Sequence, residues 1–174
     1  MRILYLLRHA KSDRSDPGLA DPDRPLAARG RRDAPAMGAY MRAHGYQPDL
    51  ALCSTALRTR ETLALLLPEL GRKVLAEFDR TLYLASPEAM LRRLRDVDEG
   101  IGGVLMIGHN PGMARLAVLL APRGDRHALA RMREKYPTSA LAVIHLHIDR
   151  WEQAEARAGT LTDFMTPSAL PSED

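Results

Sequence analysis

The stretch Ile3-Leu4-Tyr5-Leu6-Leu7-Arg8-His9-Ala10 decides the fold, because an apolar run ends in an arginine and a histidine. An uninterrupted apolar run of this length is typical of a strand that is buried on both faces of a sheet. Side chains at the carboxyl end of such a strand reach the crevice where open α/β sheets bind their ligands. The stretch therefore predicts that Arg8 and His9 lie at the ligand-binding edge of a sheet.

Two later segments repeat this design. Residues 50–53 lead into Ser54-Thr55-Ala56-Leu57-Arg58, and residues 104–107 lead into Gly108-His109-Asn110-Pro111-Gly112. Each motif alone is well explained by turn chemistry or by a solvated first helical turn. All of them, however, follow predicted strands, whose carboxyl ends meet at one edge of a parallel sheet. We expect four side chains to form a pocket for a small dianion there, namely Arg8, His9, Arg58 and His109.

Length and composition indicate an ordinary globular protein. The chain has 174 residues, of which 45% are hydrophobic and 27% are charged, and this suits a single α/β domain. We assign the domain to residues 1–166 and expect residues 167–174 to form a flexible tail. No apolar stretch approaches the roughly 20 residues of a membrane span, and no signal peptide is evident. The lone cysteine fits a reducing compartment, so we expect a cytoplasmic protein without a membrane partner.

The net charge of +3 does not indicate a nucleic-acid partner. Acidic residues are interspersed with the basic ones, and no basic stripe with interleaved aromatic residues is present in the sequence. Such a stripe is the usual electrostatic signature of nucleic-acid binding. We therefore expect no nucleic-acid partner.

Strand-like and helix-like segments alternate along the chain, and Pro35 is expected to kink the first helix or to mark its first turn. The predicted strands are residues 3–7, 50–53, 74–78, 102–107, 139–148 and 158–165. The predicted helices are residues 26–44, 56–67, 87–97 and 113–120, with a long loop at 11–25 and an unassigned stretch at 123–137. This alternation predicts an α/β fold, a three-layer sandwich around a mostly parallel central sheet.

The four site side chains suit phosphoryl transfer. In the transition state of phosphoryl transfer the charge is spread over three oxygens, so catalysis consists mainly of positioning and electrostatic stabilisation. Arg8 and Arg58 offer planar forks that bind such oxygens in pairs and keep their charge. A neutral imidazole is a competent nucleophile near pH 7, and a second histidine can hydrogen-bond an equatorial oxygen. Backbone N–H groups at the helix starts after Ser54 and Gly112 can add further donors.

Rival chemistries fit the sequence less well. Cys53 and Arg58 are separated by four residues, whereas a cysteine-dependent phosphatase needs five, so Cys53 is interpreted as a small buried residue. Asp21-Pro22-Asp23 resembles an aspartyl-phosphate motif but lies in a proline-rich loop, not after a strand. His145 and His147 share one face of a predicted strand near Asp149, and an exposed sheet face explains them better than a metal site. We expect neither a metal nor another cofactor.

Taken together, the motifs resemble those of the histidine phosphatase superfamily, whose fold is phosphoglycerate mutase-like. The resemblance covers nearly the whole chain and is greatest to its short bacterial phosphohistidine phosphatases. The segments that carry it are Leu7-Arg8-His9-Ala10-Lys11-Ser12, Arg24-Pro25-Leu26 with Gly30, residues 54–62, residues 108–112, and Leu161-Thr162-Asp163-Phe164 with Pro167. The resemblance implies that His9 is the nucleophile that becomes phosphorylated. It also implies that Arg8, Arg58 and His109 complete the phosphate pocket.

One departure from the family concerns the general acid. Mutase-like relatives place a glutamate in a Leu-x-Glu segment after the third strand, where Leu82-Tyr83-Leu84 puts Leu84 in this chain. Three carboxylates lie nearby but out of register, those of Glu77, Asp79 and Glu88. Mutase activity is therefore not expected, and the acid stays unassigned.

Three functions remain open from the sequence. The first is a metal-independent phosphatase that works through a covalent phosphohistidine intermediate, with phosphohistidine in a protein as substrate. The second keeps this mechanism but acts on small phosphate esters. The third is a non-catalytic module that binds phosphate or a phosphoprotein. The intact set of Arg8, His9, Arg58 and His109 favours an enzyme, because binding alone needs no nucleophile.

Overall fold

The centre of the fold is a mostly parallel sheet. The computed structural model describes residues 1–172, and within them the strands are β1 (Arg2–Arg8), β2 (Leu50–Ser54), β3 (Leu75–Asp79), β4 (Gly103–Gly108), β5 (Arg123–Gly124), β6 (Leu141–Leu146) and β7 (Gly159–Met165). They form one sheet in the order β3-β2-β4-β1-β6-β7-β5. The four strands β1 to β4 are parallel, and β6 is antiparallel to both β1 and β7. The predicted mostly parallel sheet is confirmed.

Helices cover both faces of this sheet. On one face lie α1 (Ala28–Ala43) and α2 (Leu57–Leu66), and on the other lie α3 (Pro87–Arg95), α4 (Gly112–Leu120) and α5 (Arg126–Glu134). The predicted three-layer α/β sandwich is therefore confirmed, and it encloses one apolar core on each side of the sheet. Within residues 1–172, no helix is long and apolar enough to cross a membrane.

Strand β1 contributes to both cores. Leu4 and Leu6 pack on the side of α3 and α4, whereas Tyr5 and Leu7 pack on the side of α1 and α2. This division follows from strand geometry, because successive side chains point to opposite faces. All four side chains are at most 3% exposed. Burial of each such leucine contributes about 1.5–3 kcal/mol, so β1 is held firmly between the two helical layers.

The structure excludes one of the two alternatives for Pro35 and assigns the stretch 123–137. Pro35 lies inside the continuous helix α1 and therefore does not mark its first turn. The missing N–H of a proline leaves the carbonyl of Arg31 without a helical donor, and this is tolerated because Arg31 is exposed to solvent. The unassigned stretch 123–137 contains β5 and α5. The Asp125 carboxylate caps α5 by accepting from the Ala128 N–H at 2.9 Å, which is the usual stabilisation of a helix start.

Part of the predicted flexible tail, residues 167–174, is described. Pro167–Ala169 form a 3-10 turn, and Leu170 packs against the core on the side of α1 and α2. Glu173 and Asp174 lie outside the described residues. The flexibility of the tail and the domain boundary at residue 166 stay predictions.

The register of the central strands brings the three motifs to one edge. Arg8 at the end of β1 pairs with Gly108 at the end of β4, and Cys53 in β2 pairs with Ile107 in β4. The His9 N–H also donates to the Gly108 carbonyl at 3.1 Å. The three motifs therefore begin at the same edge of the sheet, as expected for the carboxyl ends of parallel strands.

Gly112, the first residue of α4, makes a close approach to another loop. A Cβ at this position would lie 1.9 Å from the Ala85 carbonyl oxygen and 3.0 Å from the Met90 terminal methyl. Because a backbone carbonyl cannot move aside as a flexible side chain can, we expect Gly112→Ala to lower the free energy of unfolding by about 1–3 kcal/mol or more. Urea unfolding measures this change.

The matched control is Gly103→Ala in the central strand β4. A Cβ on Gly103 would meet no atom closer than 3.5 Å, which is an ordinary van der Waals contact. Its unfolding midpoint should therefore change less than that of Gly112→Ala. Equal midpoints for the two variants would contradict the close approach at Gly112.

Candidate active site

The structure brings the four predicted site residues together at the carboxyl edge of β1, β2 and β4. His9 directly follows β1, Arg58 lies in the first turn of α2, and His109 directly follows β4. The ring centroids of His9 and His109 are 5.4 Å apart, and Nη2 of Arg58 lies 3.3 Å from Nδ1 of His109. His9 is 7% exposed, and Arg58 and His109 are 2% exposed each. Three of the four side chains are thus buried, and the roles of all four stay predictions.

The hydrogen bond of His9 fixes which ring nitrogen is free. Nδ1 of His9 lies 2.7 Å from the Ala10 carbonyl oxygen, which can only accept a hydrogen bond. Nδ1 therefore carries the proton, and Nε2 carries the lone pair. Burial lowers the pKa of His9 to about 3, and the nearby His109, Arg58 and Arg8 act in the same direction. Near neutral pH the ring is thus uncharged, and its Nε2 carries a lone pair.

Arg8 is held by a carbonyl on the segment before β6. One terminal nitrogen of its guanidinium donates to the Tyr136 carbonyl at 3.1 Å, and the Asn110 amide donates to the same carbonyl at 2.8 Å. The Tyr136 hydroxyl in turn donates to the Leu6 carbonyl of β1 at 2.6 Å. Tyr136 therefore connects Arg8 and the third motif to the central strand and fixes the direction of the Arg8 side chain.

Arg58 is held by Asp21. Its two terminal nitrogens donate to the Asp21 backbone oxygen at 2.8 Å and to an Asp21 carboxylate oxygen at 3.0 Å. Three buried side-chain atoms within residues 1–172 have no hydrogen-bond partner, and all three belong to this edge: Nε of Arg8, Nε of Arg58 and Oγ of Ser139. Buried donors normally have acceptors. Two guanidinium N–H groups at one site are thus suited to the oxygens of an anion.

His109 is oriented by Arg58 and Ser54. A guanidinium can only donate, so Nδ1 of His109 accepts from Arg58, and its Nε2–H donates to the Ser54 hydroxyl at 2.7 Å. Burial, followed by the charge of Arg58, lowers the pKa of His109 to about 4. The ring is therefore neutral near pH 7, and its edge lies against Tyr83, with 5.4 Å between the ring centroids.

The carboxylates near the third strand do not reach this site. Glu77 and Asp79 both pair with Arg93 of α3, with 2.8 Å between the Asp79 carboxylate and Nε of Arg93. Glu88 is exposed on the first turn of α3, and Leu84 is also exposed. Instead, a carboxylate that contacts a predicted site residue is that of Asp21, which lies 3.0 Å from Nη2 of Arg58.

Sequence reasoning gave no role at the site to several residues that contact it: Asp21, Ser54, Tyr83, Tyr136 and Ser139. Asp21 was considered only in a possible aspartyl-phosphate motif, and the length of the loop at 11–25 was a second signal, because long loops in compact domains are often functional. Ser54 was part of the second motif without an assigned role. Tyr83 and Tyr136 reach the site from loops, whose course hydrophobic periodicity does not predict.

Two other candidates have structural explanations. Cys53 is buried at the end of β2 and its thiol donates to the Ser54 carbonyl, while burial raises the pKa of Cys53 to about 12. It is therefore an inert core residue, as interpreted from the sequence. His147 lies near the Thr160 hydroxyl at 2.8 Å on the sheet face. In the part of the chain that the structure describes, no three side chains of His, Cys, Asp or Glu form a cluster able to hold a metal.

Known proteins share both the sequence pattern and the fold. The pattern of the histidine phosphatase superfamily (branch 1) matches residues 4–82. An uncharacterised protein of Mycobacterium tuberculosis is 39% identical over 163 residues, which cover 92% of this chain and 99% of that protein.

Two solved structures are similar over nearly their whole length. One is a candidate phosphohistidine phosphatase SixA from Agrobacterium tumefaciens, with 30% identity and a TM-score of 0.78 over 95% of this chain and 98% of that one. The other is a candidate phosphohistidine phosphatase SixA from Nakamurella multipartitia, with 28% identity and a TM-score of 0.80 over 97% of both chains. The similarity in fold therefore extends over the sheet and over the segments of this chain that carry the three motifs.

Proposed function

The chain belongs to the histidine phosphatase superfamily, and from this membership we propose that it is a metal-independent phosphatase that hydrolyses phosphohistidine in proteins through a phosphorylated His9. The observation that supports it most directly is the hydrogen bond between Nδ1 of His9 and the Ala10 carbonyl. It leaves the Nε2 lone pair free near the buried guanidinium of Arg58 and the half-buried Arg8. A site built only to bind phosphate would gain nothing from such a nucleophile.

In the first step, Nε2 of His9 attacks phosphorus and forms a P–N bond. The bond between phosphorus and the leaving nitrogen breaks, and its electron pair stays on the leaving imidazole. The unpartnered Nε–H groups of Arg8 and Arg58 are proposed to donate to the phosphoryl oxygens. His109 is proposed to give up its hydrogen bond to Ser54 when substrate binds and to donate its Nε2–H to a further equatorial oxygen instead. Charge stabilisation of this kind is strongest in a buried, preorganised site.

In the second step, water attacks the phosphorus of phosphorylated His9. The P–Nε2 bond breaks, its electron pair returns to Nε2, and the proton of the water leaves with the inorganic phosphate. The Ala10 carbonyl keeps its hydrogen bond to Nδ1 throughout, so that the ring needs no change of tautomer.

The absence of a glutamate at Leu84 favours phosphohistidine over alkyl esters. An alkoxide is a poor leaving group unless a positioned acid protonates it, and such general acid catalysis is worth about 10²–10⁴-fold. A leaving imidazole needs less help, because its other nitrogen can already carry a proton. Small phosphate esters with poor leaving groups are therefore expected to be weak substrates. This expectation distinguishes a phosphohistidine phosphatase from a phosphatase of small esters.

A substrate comparison tests the proposal. The rates for a phosphohistidine peptide, p-nitrophenyl phosphate and phosphoserine are measured at saturating and at low substrate concentration, so that binding and chemistry are separated. We expect phosphohistidine and the aryl phosphate to react at least tenfold faster than phosphoserine. Equal turnover of phosphoserine would support the small-ester function. Binding of phosphate without turnover of any substrate would support the binding module.

The pH dependence of kcat/KM is a further prediction. His9 reacts in its neutral form, which is lost only as the pH falls through the pKa of about 3. We therefore expect no loss of kcat/KM from protonation of His9 between pH 8 and pH 5. A histidine of ordinary pKa, about 6.5, would keep only about a tenth of its neutral form at pH 5.5. A profile with p-nitrophenyl phosphate, corrected for the ionisation of the substrate, measures this, and a midpoint near pH 6.5 would contradict it.

A further inference from the structure

Asp21 lies at the opening of the site on a short 3-10 turn, Asp21–Asp23, within the long loop at 11–25. Besides its two contacts with Arg58, its carboxylate accepts from Arg24 at 2.9 Å and from the Tyr83 hydroxyl. The Asp21 side chain is 45% exposed, whereas the Arg58 side chain that it contacts is 3% exposed. The carboxylate therefore connects the buried pocket with the solvent.

Tyr83 connects Asp21 with the segment in which a general acid was expected. It belongs to the segment 82–84, in which the resemblance to mutase-like proteins placed a carboxylate that Leu84 does not provide. The Tyr83 ring packs against His109, and the Arg58 guanidinium carbon lies 6.0 Å from its centroid. Through Tyr83, a carboxylate from a different loop is held beside this segment.

The contacts of Arg58 allow Asp21 to stay in place when substrate binds. Asp21 occupies the two terminal nitrogens of Arg58, while the buried Nε is unpartnered and faces no protein acceptor. A phosphoryl oxygen that binds Nε would leave both contacts of Asp21 in place, and because Nε is buried this binding requires the neighbouring side chains to move apart. Because His9 lies on the buried side, an in-line attack places the leaving group on the solvent side. That is the side on which the Asp21 carboxylate is exposed.

The chemistry of this carboxylate is that of a hydrogen-bond acceptor. The hydrogen bond from Tyr83, followed by those from Arg24 and Arg58, holds the pKa of Asp21 well below its usual range. Asp21 is therefore ionised at neutral pH and has no proton to donate. It can, however, accept a hydrogen bond from a leaving group that carries an N–H.

We propose that Asp21 is a specificity-determining residue that accepts a hydrogen bond from the ring N–H of a leaving imidazole and repels substrates with a second anionic group beside the phosphate. This inference rests on the proposed function. The distal ring nitrogen keeps its proton while the P–N bond breaks, and the electron pair of that bond stays on the leaving nitrogen. The imidazole departs neutral, and Asp21 neither gains nor loses a proton.

The variant Asp21→Asn tests this role with two small substrates. Phosphoimidazole has a leaving group with an N–H, whereas p-nitrophenyl phosphate has a leaving group without a donor. We expect Asp21→Asn to lower kcat/KM for phosphoimidazole at least tenfold and kcat/KM for p-nitrophenyl phosphate less than threefold. The matched control is Asp23→Asn, an exposed carboxylate of the same turn, which should change neither value.

An inhibitor comparison provides a readout that does not depend on phosphoimidazole turnover. Methylenediphosphonate carries a second anionic group, and inorganic phosphate does not. Both compounds are tested as inhibitors of p-nitrophenyl phosphate hydrolysis. The inhibition by methylenediphosphonate, divided by that by phosphate, should increase at least threefold in Asp21→Asn and stay unchanged in Asp23→Asn. An unchanged ratio in Asp21→Asn would overturn the proposal.

Equal losses for both substrates in Asp21→Asn would also overturn it, because Asp21 would then act only by holding Arg58. A wild-type protein that hydrolyses p-nitrophenyl phosphate but leaves phosphoimidazole intact would instead refute the proposed function. In that case the inhibitor ratio alone decides whether the Asp21 charge selects among anions.

Discussion

Replacement of His9 by alanine is expected to abolish turnover and to prevent phosphorylation of the protein. The reason is chemical, since no other side chain at the site presents a free imidazole nitrogen: both nitrogens of His109 are occupied by Arg58 and Ser54. Loss of a nucleophile that acts together with its neighbours costs on the order of 10⁶-fold in kcat. The phosphate on wild-type His9 should be labile in acid and stable in base, and mass spectrometry of protein quenched in base with substrate present should locate it there.

The matched control for this experiment is His127→Ala, which removes an exposed histidine of α5. It should keep wild-type turnover and wild-type phosphorylation. Substantial activity in His9→Ala, or phosphate that remains on the protein in that variant, would show that the nucleophile lies elsewhere. Both variants need the same folded fraction, which circular dichroism determines.

The fold was largely predictable because its strongest signals are local. The apolar run at residues 3–7 and the two similar runs before Ser54 and Gly108 identify buried strands without any tertiary information. Once the strands are parallel, their carboxyl ends share an edge, and the meeting of Arg8, Arg58 and His109 follows from topology. For Pro35 the sequence left two alternatives, and only the structure shows that it lies inside α1 and not in its first turn, where solvent at Arg31 makes the proline tolerable.

The periphery of the site was not predictable in the same way. Asp21, Tyr83 and Tyr136 reach it from loops whose path depends on the packed structure, and a contact between two loops leaves no periodic trace in the sequence. The search for a carboxylate near Leu84 along the chain failed for this reason. The carboxylate at the site comes from the loop at 11–25, and the hydroxyl of Tyr83 links it to the expected segment by a hydrogen bond.

The orientation of the two histidines also needed the structure. Their positions after β1 and β4 follow from the motifs, but their tautomers depend on the partners of each nitrogen. The Ala10 carbonyl assigns a free Nε2 to His9, while Arg58 and Ser54 occupy both nitrogens of His109. Two residues of the same type at the same edge thus have different proposed roles, nucleophile and oxygen-binding partner.

Arg58→Lys is expected to have the second-largest effect, a fall in kcat/KM of about 10²–10³-fold, the cost typical of losing one preorganised donor to a reacting oxygen. All three guanidinium nitrogens have distinct positions: two are bound by Asp21, and the third is buried and unpartnered. A lysine has one nitrogen and cannot fill both positions. Its ammonium is also more costly to bury, and this side chain is 3% exposed.

The kinetics of this variant should show how Arg58 acts. If Arg58 binds the transition state more tightly than the substrate, kcat falls more than KM rises, and inhibition by inorganic phosphate weakens only modestly. The control is Arg60→Lys, an exposed arginine of the same helix, which should behave as wild type. Near-normal kinetics for Arg58→Lys would place Arg58 outside the phosphate pocket. Its unpartnered Nε would then have no role in phosphoryl transfer, and Asp21 would lose its link to the reacting group.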